Sequence, residues 1–99
     1  MAGTNDNRRG DFDWALYGSV LRMTRAKKMG FKKGEEFAKR IEAEGVKMNK
    51  ETLYKIEQGA QVPNAAQFII LNLVAFGEAA PEKVMDLCMG VQWHGLWEV

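Results

Sequence analysis

The 99-residue sequence is poor in several features that mark particular protein classes. It has one cysteine, Cys88, so no internal disulfide can form and nothing indicates a secreted, disulfide-framed domain. Two prolines and interspersed charges argue against collagen-like, mucin-like and wholly disordered chains. The most apolar run, residues 68–76, is too short to cross a bilayer, and the first residues lack the apolar segment of a signal peptide. We therefore expect a cytoplasmic protein without membrane contact.

Groups suited to catalysis or metal binding are also scarce. The single histidine, His94, follows Cys88 near the C-terminus, and no set of His and Cys has zinc spacing. No paired carboxylates occur on a recognisable scaffold, and no glycine-rich loop is of the kind that cradles phosphate. We expect His94 to belong to a packed aromatic tail and Cys88 to a helix core. The sequence therefore predicts no enzyme activity, no cofactor and no metal site.

The net charge is only +1, but the charge is unevenly distributed along the chain. Residues 1–19 carry two arginines against three aspartates, a balance of −1. Residues 20–60 carry eleven Lys and Arg against six Glu, a balance of +5. Residues 61–99 carry one lysine against four acidic residues, a balance of −3. The positive charge of residues 20–60 modestly favours a polyanionic partner. The effect is modest because a solvated face of lysines is common in helical proteins.

The hydrophobic pattern predicts one all-α domain of five helices over residues 12–90. A flexible arm over residues 1–11 precedes the domain, and a short aromatic tail over 91–99 follows it. Arg8 and Arg9 of the arm could bind phosphate or could make no contact. Cap and stop residues set the helix boundaries. The predicted helices run from an aspartate cap at Asp11 or Asp13 to Gly30, from Gly34 to Glu44 with Gly45 closing, from the cap Asn49 to Gly59, from the cap Asn64 through Phe76 to Gly77, and from Pro81 to Gly90.

The third predicted helix has little hydrophobic surface of its own. Only Leu53 and Ile56 are spaced as core anchors, and the remaining side chains are long and polar. A helix that enters the major groove of DNA needs such a narrow apolar edge and a polar opposite edge. Two short helices joined by a tight turn also match a helix-turn-helix. A solvated spacer or a protein-binding surface fits the composition as well.

Residues 48–64, MNKETLYKIEQGAQVPN, resemble the signature of the lambdoid phage repressor and Cro family, the xenobiotic-response-element (XRE) regulators with a helix-turn-helix. Upstream, LRMTRAKKMG resembles that family's first helix and GEEFAKRI its second, so the similarity spans residues 20–77. EAEGVK makes the turn before the third helix longer than in the commonest family form, and one extra residue lies around Met29–Gly34. The family positions are filled in order by Met48, Asn49, Thr52, Leu53, Lys55, Ile56, Glu57, Gly59, Pro63 and Asn64.

The resemblance implies a five-helix, lambda-repressor-like domain that binds double-stranded DNA and regulates transcription, more often as a repressor, in a bacterium or its phage. Helix 49–58 would then read the major groove. Tyr54 would contact a thymine methyl group or a phosphate, or would cover the domain's own surface. By family position, Lys50, Glu51 and Lys55 would reach base edges, and Asn49, Thr52 and Gln58 would lie nearer the DNA backbone.

The resemblance also implies two roles outside the base-reading edge. A donor near the start of the second helix would bind phosphate, where the helix dipole is favourable. Lys33 is the first choice for that donor and Lys32 the alternative. Glu57 would be structural and would pair with Arg25, or with Arg22, from the first helix.

The C-terminal third predicts a homodimer. Residues 68–76 are apolar on every side, and a helix of that kind must be covered all round. The first three helices can cover one side, while the fifth helix, the tail or a second copy must cover the other. The tail could instead fold back on its own domain. The predicted dimer contacts are Ile69, Ile70, Leu73, Phe76, Trp93, Leu96 and Trp97.

A second function class stays open. A helix-turn-helix domain can bind another protein, as in an antitoxin that neutralises its toxin, or bind another regulator. The charged helix 49–58 favours DNA over this alternative.

Overall fold

A computed structural model describes residues 8–9 and 12–89 of the chain, and almost all of their regular structure is helical. Over these residues, the prediction of a mostly helical domain with five helices is confirmed. The predicted tail over 91–99 lies outside the described residues. The five helices are α1 (Trp14–Met23), which continues directly into a π-helical turn (Thr24–Lys28), α2 (Gly34–Glu42), α3 (Lys50–Glu57), α4 (Ala65–Phe76) and α5 (Glu82–Met89).

The helix boundaries follow from their caps. The side chain of Asp13 accepts a hydrogen bond from the Leu16 backbone N–H at 3.1 Å, so Asp13 caps α1. Asn64 and Gln67 form a reciprocal capping box on α4, with N–O distances of 2.8 and 2.9 Å. Of the two aspartates offered as caps for the first helix, Asp13 is therefore the one used. The glycines predicted to stop the first four helices all have positive φ: Gly30, Gly45, Gly59 and Gly77.

Two local features depart from the prediction. Arg8–Arg9 pairs as a two-residue antiparallel strand, β1, with Phe12–Asp13, β2, where we expected an arm without regular structure. Such a short pairing carries no alternation pattern for the sequence to reveal. The second helix ends at Glu42 rather than Glu44.

The π turn after α1 is the third departure. The Met29 N–H donates to the Thr24 carbonyl at 3.0 Å, a bond that spans five residues instead of four. The helix is therefore locally wider and holds an additional residue. In the resemblance described above, one extra residue falls around Met29–Gly34, just after this turn.

Helix α1 packs against both α3 and α5, and α5 also contacts β2. Gly18 permits the close approach of α1 to α3, because a Cβ at this position would lie within 2.5 Å of the backbone of Ile56 and Glu57. Cys88 is fully buried on α5, as predicted. The largest wholly buried side chains of the core are Tyr17, Leu21, Phe37, Ile41, Leu53, Ile56, Leu71, Asn72 and Cys88.

Helix α5 was one of three candidates for covering the outer side of α4, beside the tail and a second copy. It packs mainly on α1 and β2. A buried polar link connects α4 to the segment that leads into α5. The Tyr17 hydroxyl donates to Asn72 Oδ1 at 2.6 Å, and Asn72 Nδ2 donates to the Ala79 carbonyl at 2.9 Å. None of the helices over the described residues has the length and apolarity needed to span a membrane.

Candidate nucleic-acid interface

Helix α3 is held to the domain by a narrow inner edge. Leu53 and Ile56 are buried against α1 and α2, and Glu57 is 6% exposed. Asn49 caps the helix, because its side chain accepts the Thr52 N–H at 2.8 Å. The rest of the helix faces outward, and its exposed side chains are Lys50, Glu51, Tyr54, Lys55 and Gln58.

The sequence-predicted DNA-contacting side chains of α3 therefore lie on one open surface, with two qualifications. Thr52 is partly buried. The carboxamide oxygen of Asn49 is already engaged in the cap, so only its NH₂ group is free to donate outward.

A buried ion pair ties α3 to the π turn. Arg25 Nε donates to Glu57 Oε2 at 2.6 Å, and Arg25 Nη2 donates to Glu57 Oε1 at 3.0 Å. The prediction that Glu57 has a structural partner in the first helix is confirmed, and that partner is Arg25 rather than Arg22. Hydrogen bonding to Glu57 raises the pKa of the Arg25 guanidinium, so this guanidinium stays protonated at neutral pH.

The same guanidinium also fixes the loop before α2. Arg25 Nη1 donates to the carbonyl oxygens of Phe31 and Lys32, at 2.8 and 3.0 Å. One buried side chain thus holds three elements together: the π turn, the 31–33 loop and α3. The position of the exposed edge of α3 relative to the start of α2 depends on this contact.

Tyr54 covers the first turn of α2. A Cβ at Gly34 would lie within 2.8 Å of Tyr54 Cζ, so the ring packs directly over that glycine. The side chain is still 38% exposed. Of the three roles open to Tyr54 from the sequence, covering the domain's own surface is the one found here, and its exposed part leaves room for an additional contact.

The two lysines considered for phosphate binding lie where they were expected, just before α2. Both Lys32 and Lys33 are exposed, and Lys33 occupies the N-cap position with extended backbone. Glu35 and Glu36 follow in the first turn of the helix. These carboxylates stabilise the helix through its dipole but oppose an approaching phosphate.

A groove runs along the side of α3, between it and the end of α1. Its volume is about 730 Å³. No pattern in the sequence indicates this groove, because its walls come from α1, the π turn, the loop before α2 and α3. The lining residues are Ser19, Arg22, Met23, Arg25, Ala26, Lys27, Lys32, Tyr54, Glu57 and Gln58.

The predicted dimer contacts divide into three groups. Ile69 and Leu73 are 44% and 43% exposed, one helical turn apart on α4. Ile70 and Phe76 are only partly exposed and pack against the core. Trp93, Leu96 and Trp97 lie outside the described residues. The open part of the α4 surface is therefore narrower than the sequence implied.

Two further side chains with reactive groups, Cys88 and Tyr17, are fully buried. Burial raises the pKa of the Cys88 thiol to about 11, so the thiol is protonated and a poor nucleophile at neutral pH. Burial also raises the pKa of the Tyr17 hydroxyl above its usual range. Within residues 8–9 and 12–89, no three His, Cys, Asp or Glu side chains are grouped as a metal site would require.

Comparison of the chain with protein-family models, curated proteins and solved structures finds no match. The functional interpretation of the α3 surface therefore depends on its geometry and charge.

Proposed function

We propose that the protein is a sequence-specific DNA-binding regulator of transcription, a repressor of a bacterium or phage, in which α2 and α3 form a helix-turn-helix. The observation that carries this proposal is the outward edge of α3. Its long polar side chains stand on a helix fixed by two apolar anchors and a buried ion pair. A role on DNA would place the protein in the cytoplasm.

The dimensions and chemistry of α3 suit the major groove. An α-helix with its side chains is about 10–12 Å in diameter, and the major groove is about 12 Å wide. Lys50 and Lys55 can donate to guanine O6 and N7, and Glu51 can accept from cytosine N4. We therefore expect a site in which G·C pairs occupy the contacted positions.

Selection of bound duplexes from a random pool tests the proposal. An enriched motif is expected, and Lys50→Ala or Lys55→Ala should each cost about 1–3 kcal/mol of binding and relax one base position. Lys83→Ala is the matched control, because Lys83 is an exposed lysine on α5, outside the α3 surface. Recovery of no motif, or equal binding by all four proteins, would remove the DNA-reading role.

We further propose that two copies pair through α4, with Ile69 and Leu73 at the contact. Exposed apolar side chains one turn apart form a stripe that a second copy can cover, and two-fold pairing would supply a second DNA half-site about one turn away. The chain also becomes acidic beyond residue 60, so this contact lies on a segment unsuited to phosphate.

The dimer is tested by sedimentation at micromolar concentration. Ile69→Glu with Leu73→Glu should give a monomer that binds a palindromic duplex weakly. Leu87→Glu is the control, since Leu87 is an exposed apolar residue on α5 rather than α4. If the wild-type chain is monomeric both free and on DNA, the α4 stripe favours the second candidate function, a module that binds another protein such as a toxin.

A further inference from the structure

The groove beside α3 concentrates positive charge. Arg22, Lys27 and Lys32 line it and are exposed, and none of them forms an ion pair within the described residues. Arg25 and Glu57 line it as well, but these two are buried and neutralise each other. Three free cations thus converge on one concave surface of about 730 Å³.

Two of these cations, Arg22 and Lys27, come from the last turn of α1 and from the π turn that continues it. Residues five apart in an α-helix point about 140° away from each other, given about 100° per residue. In a π turn the hydrogen bond itself joins residues five apart, so such residues come close to the same side. Arg22 and Lys27 are five apart, and both line the groove. The next lysine, Lys28, is exposed on the same turn but does not line it.

The other wall of the groove belongs to the proposed DNA-reading helix. Tyr54 and Gln58 lie both on the exposed edge of α3 and in the groove lining. A DNA strand that flanks the major groove occupied by α3 would pass next to this wall. The strand carries a phosphate at every nucleotide, and Lys and Arg are the side chains that neutralise it.

We propose that this groove binds phosphate groups of the DNA backbone beside the bases contacted by α3. The proposal rests on the DNA-binding function proposed above. It adds contacts from Arg22 and Lys27, at the end of α1 and in the π turn, to that of Lys32 before α2. Contacts of this type fix the register of the protein on the duplex and carry no base preference of their own.

Lys27→Gln, with Lys28→Gln as its matched control, tests the groove. Affinity for a selected duplex is measured by fluorescence anisotropy between 50 and 200 mM salt, and again with duplexes altered in the contacted bases. Lys27→Gln should weaken binding to all duplexes by a similar factor and reduce the salt slope by about 0.9. The ratio of wild-type to variant affinity should therefore fall about threefold from 50 to 200 mM salt. Lys28→Gln should behave as wild type.

Replacement of single phosphates by neutral methylphosphonates then locates the contact. When the methylphosphonate replaces the phosphate that the groove binds, the duplex should bind wild type and Lys27→Gln with equal affinity. Equal affinities and salt slopes for the two lysine variants would overturn the proposal while leaving the DNA-reading role intact. If wild type itself selects no duplex, the proposed function fails together with the groove contact.

A titration with ADP distinguishes the two sources of phosphate. ADP should not bind measurably at concentrations where the duplex saturates the protein. If ADP binds wild type but not Lys27→Gln, and both proteins bind the duplex alike, the occupant is a free phosphorylated compound and the backbone proposal is wrong. Both variants change exposed side chains, and matching urea unfolding curves would confirm that their folds are intact.

Discussion

Glu57→Gln removes one charge from the buried pair that fixes α3, with almost no change in volume. Both partners are nearly inaccessible, with side-chain exposures of 4% for Arg25 and 3% for Glu57. The new amide oxygen can still accept one hydrogen bond, and Arg25 keeps its bonds to two loop carbonyls. The guanidinium charge, however, is left buried without a counter-ion. Breaking a buried pair in this way costs about 3–5 kcal/mol, and the retained hydrogen bonds place our expectation near 3 kcal/mol.

Urea unfolding followed by far-UV circular dichroism measures this loss. A chain of this size has a total stability of about 5–15 kcal/mol, so a loss near 3 kcal/mol is a large shift of the midpoint. Glu44→Gln is the matched control, because Glu44, two residues after the end of α2, pairs with Arg40 on the surface, at 42% and 43% exposure. Such an exposed pair contributes about 0–1 kcal/mol.

The comparison of the two variants can refute the reasoning. If Glu57→Gln lowers the free energy of unfolding by no more than Glu44→Gln does, the buried charge of Arg25 does not account for the contribution of the pair to stability. The carbonyl bonds from Arg25 to the 31–33 loop would then have to hold α3 in place. In that case Arg25→Met would be the damaging change, since it removes those bonds as well.

Three further predictions concern local packing, capping and ionisation. Gly18→Ala should cost about 1–3 kcal/mol in urea unfolding, because its methyl group meets α3 backbone, whereas Gly34→Ala meets only the movable Tyr54 ring and should cost less. Asn49→Ala should cost about 1 kcal/mol in the same assay through loss of the α3 cap. The pKa of the Cys88 thiol is raised from 9.0 to about 11, so the folded state holds this proton more tightly than the unfolded state does. The free energy of unfolding should therefore fall between pH 9 and pH 11. In Cys88→Ala, the fall over that range should be smaller.

Local chemistry accounts for the parts of the fold that the sequence could predict. The caps at Asp13, Asn49 and Asn64 act within three residues along the chain, so their partners are visible in the sequence itself. The Arg25–Glu57 pair spans 32 residues. It was expected only because the stretch around Glu57 resembles a known family pattern, and no local signal specifies it.

Features that depend on tertiary context could not be predicted in this way. The π turn has the same apolar spacing and basic residues as an ordinary helix end, so nothing in TRAKK distinguishes it. The packing of α5 on α1 instead of α4 depends on the shape of the assembled core. The walls of the groove beside α3 come from α1, the π turn, the loop before α2 and α3, so no local pattern indicates it. Tyr54 illustrates the limit for a single residue, because its contact over Gly34 joins two helices.

The scarcity of apolar residues in α3 now has a physical explanation. A helix of eight residues with two buried anchors gains little from hydrophobic burial, about 1.5–3 kcal/mol for each anchor. The cap from Asn49, the ion pair from Arg25 and the Tyr54 ring on α2 hold the helix through contacts that use its ends and one side. Lys50, Glu51 and Lys55, on the opposite edge, are therefore not needed to hold the helix in place. Substitutions along that edge should change binding with little effect on stability, whereas substitutions at the three holding contacts should change both.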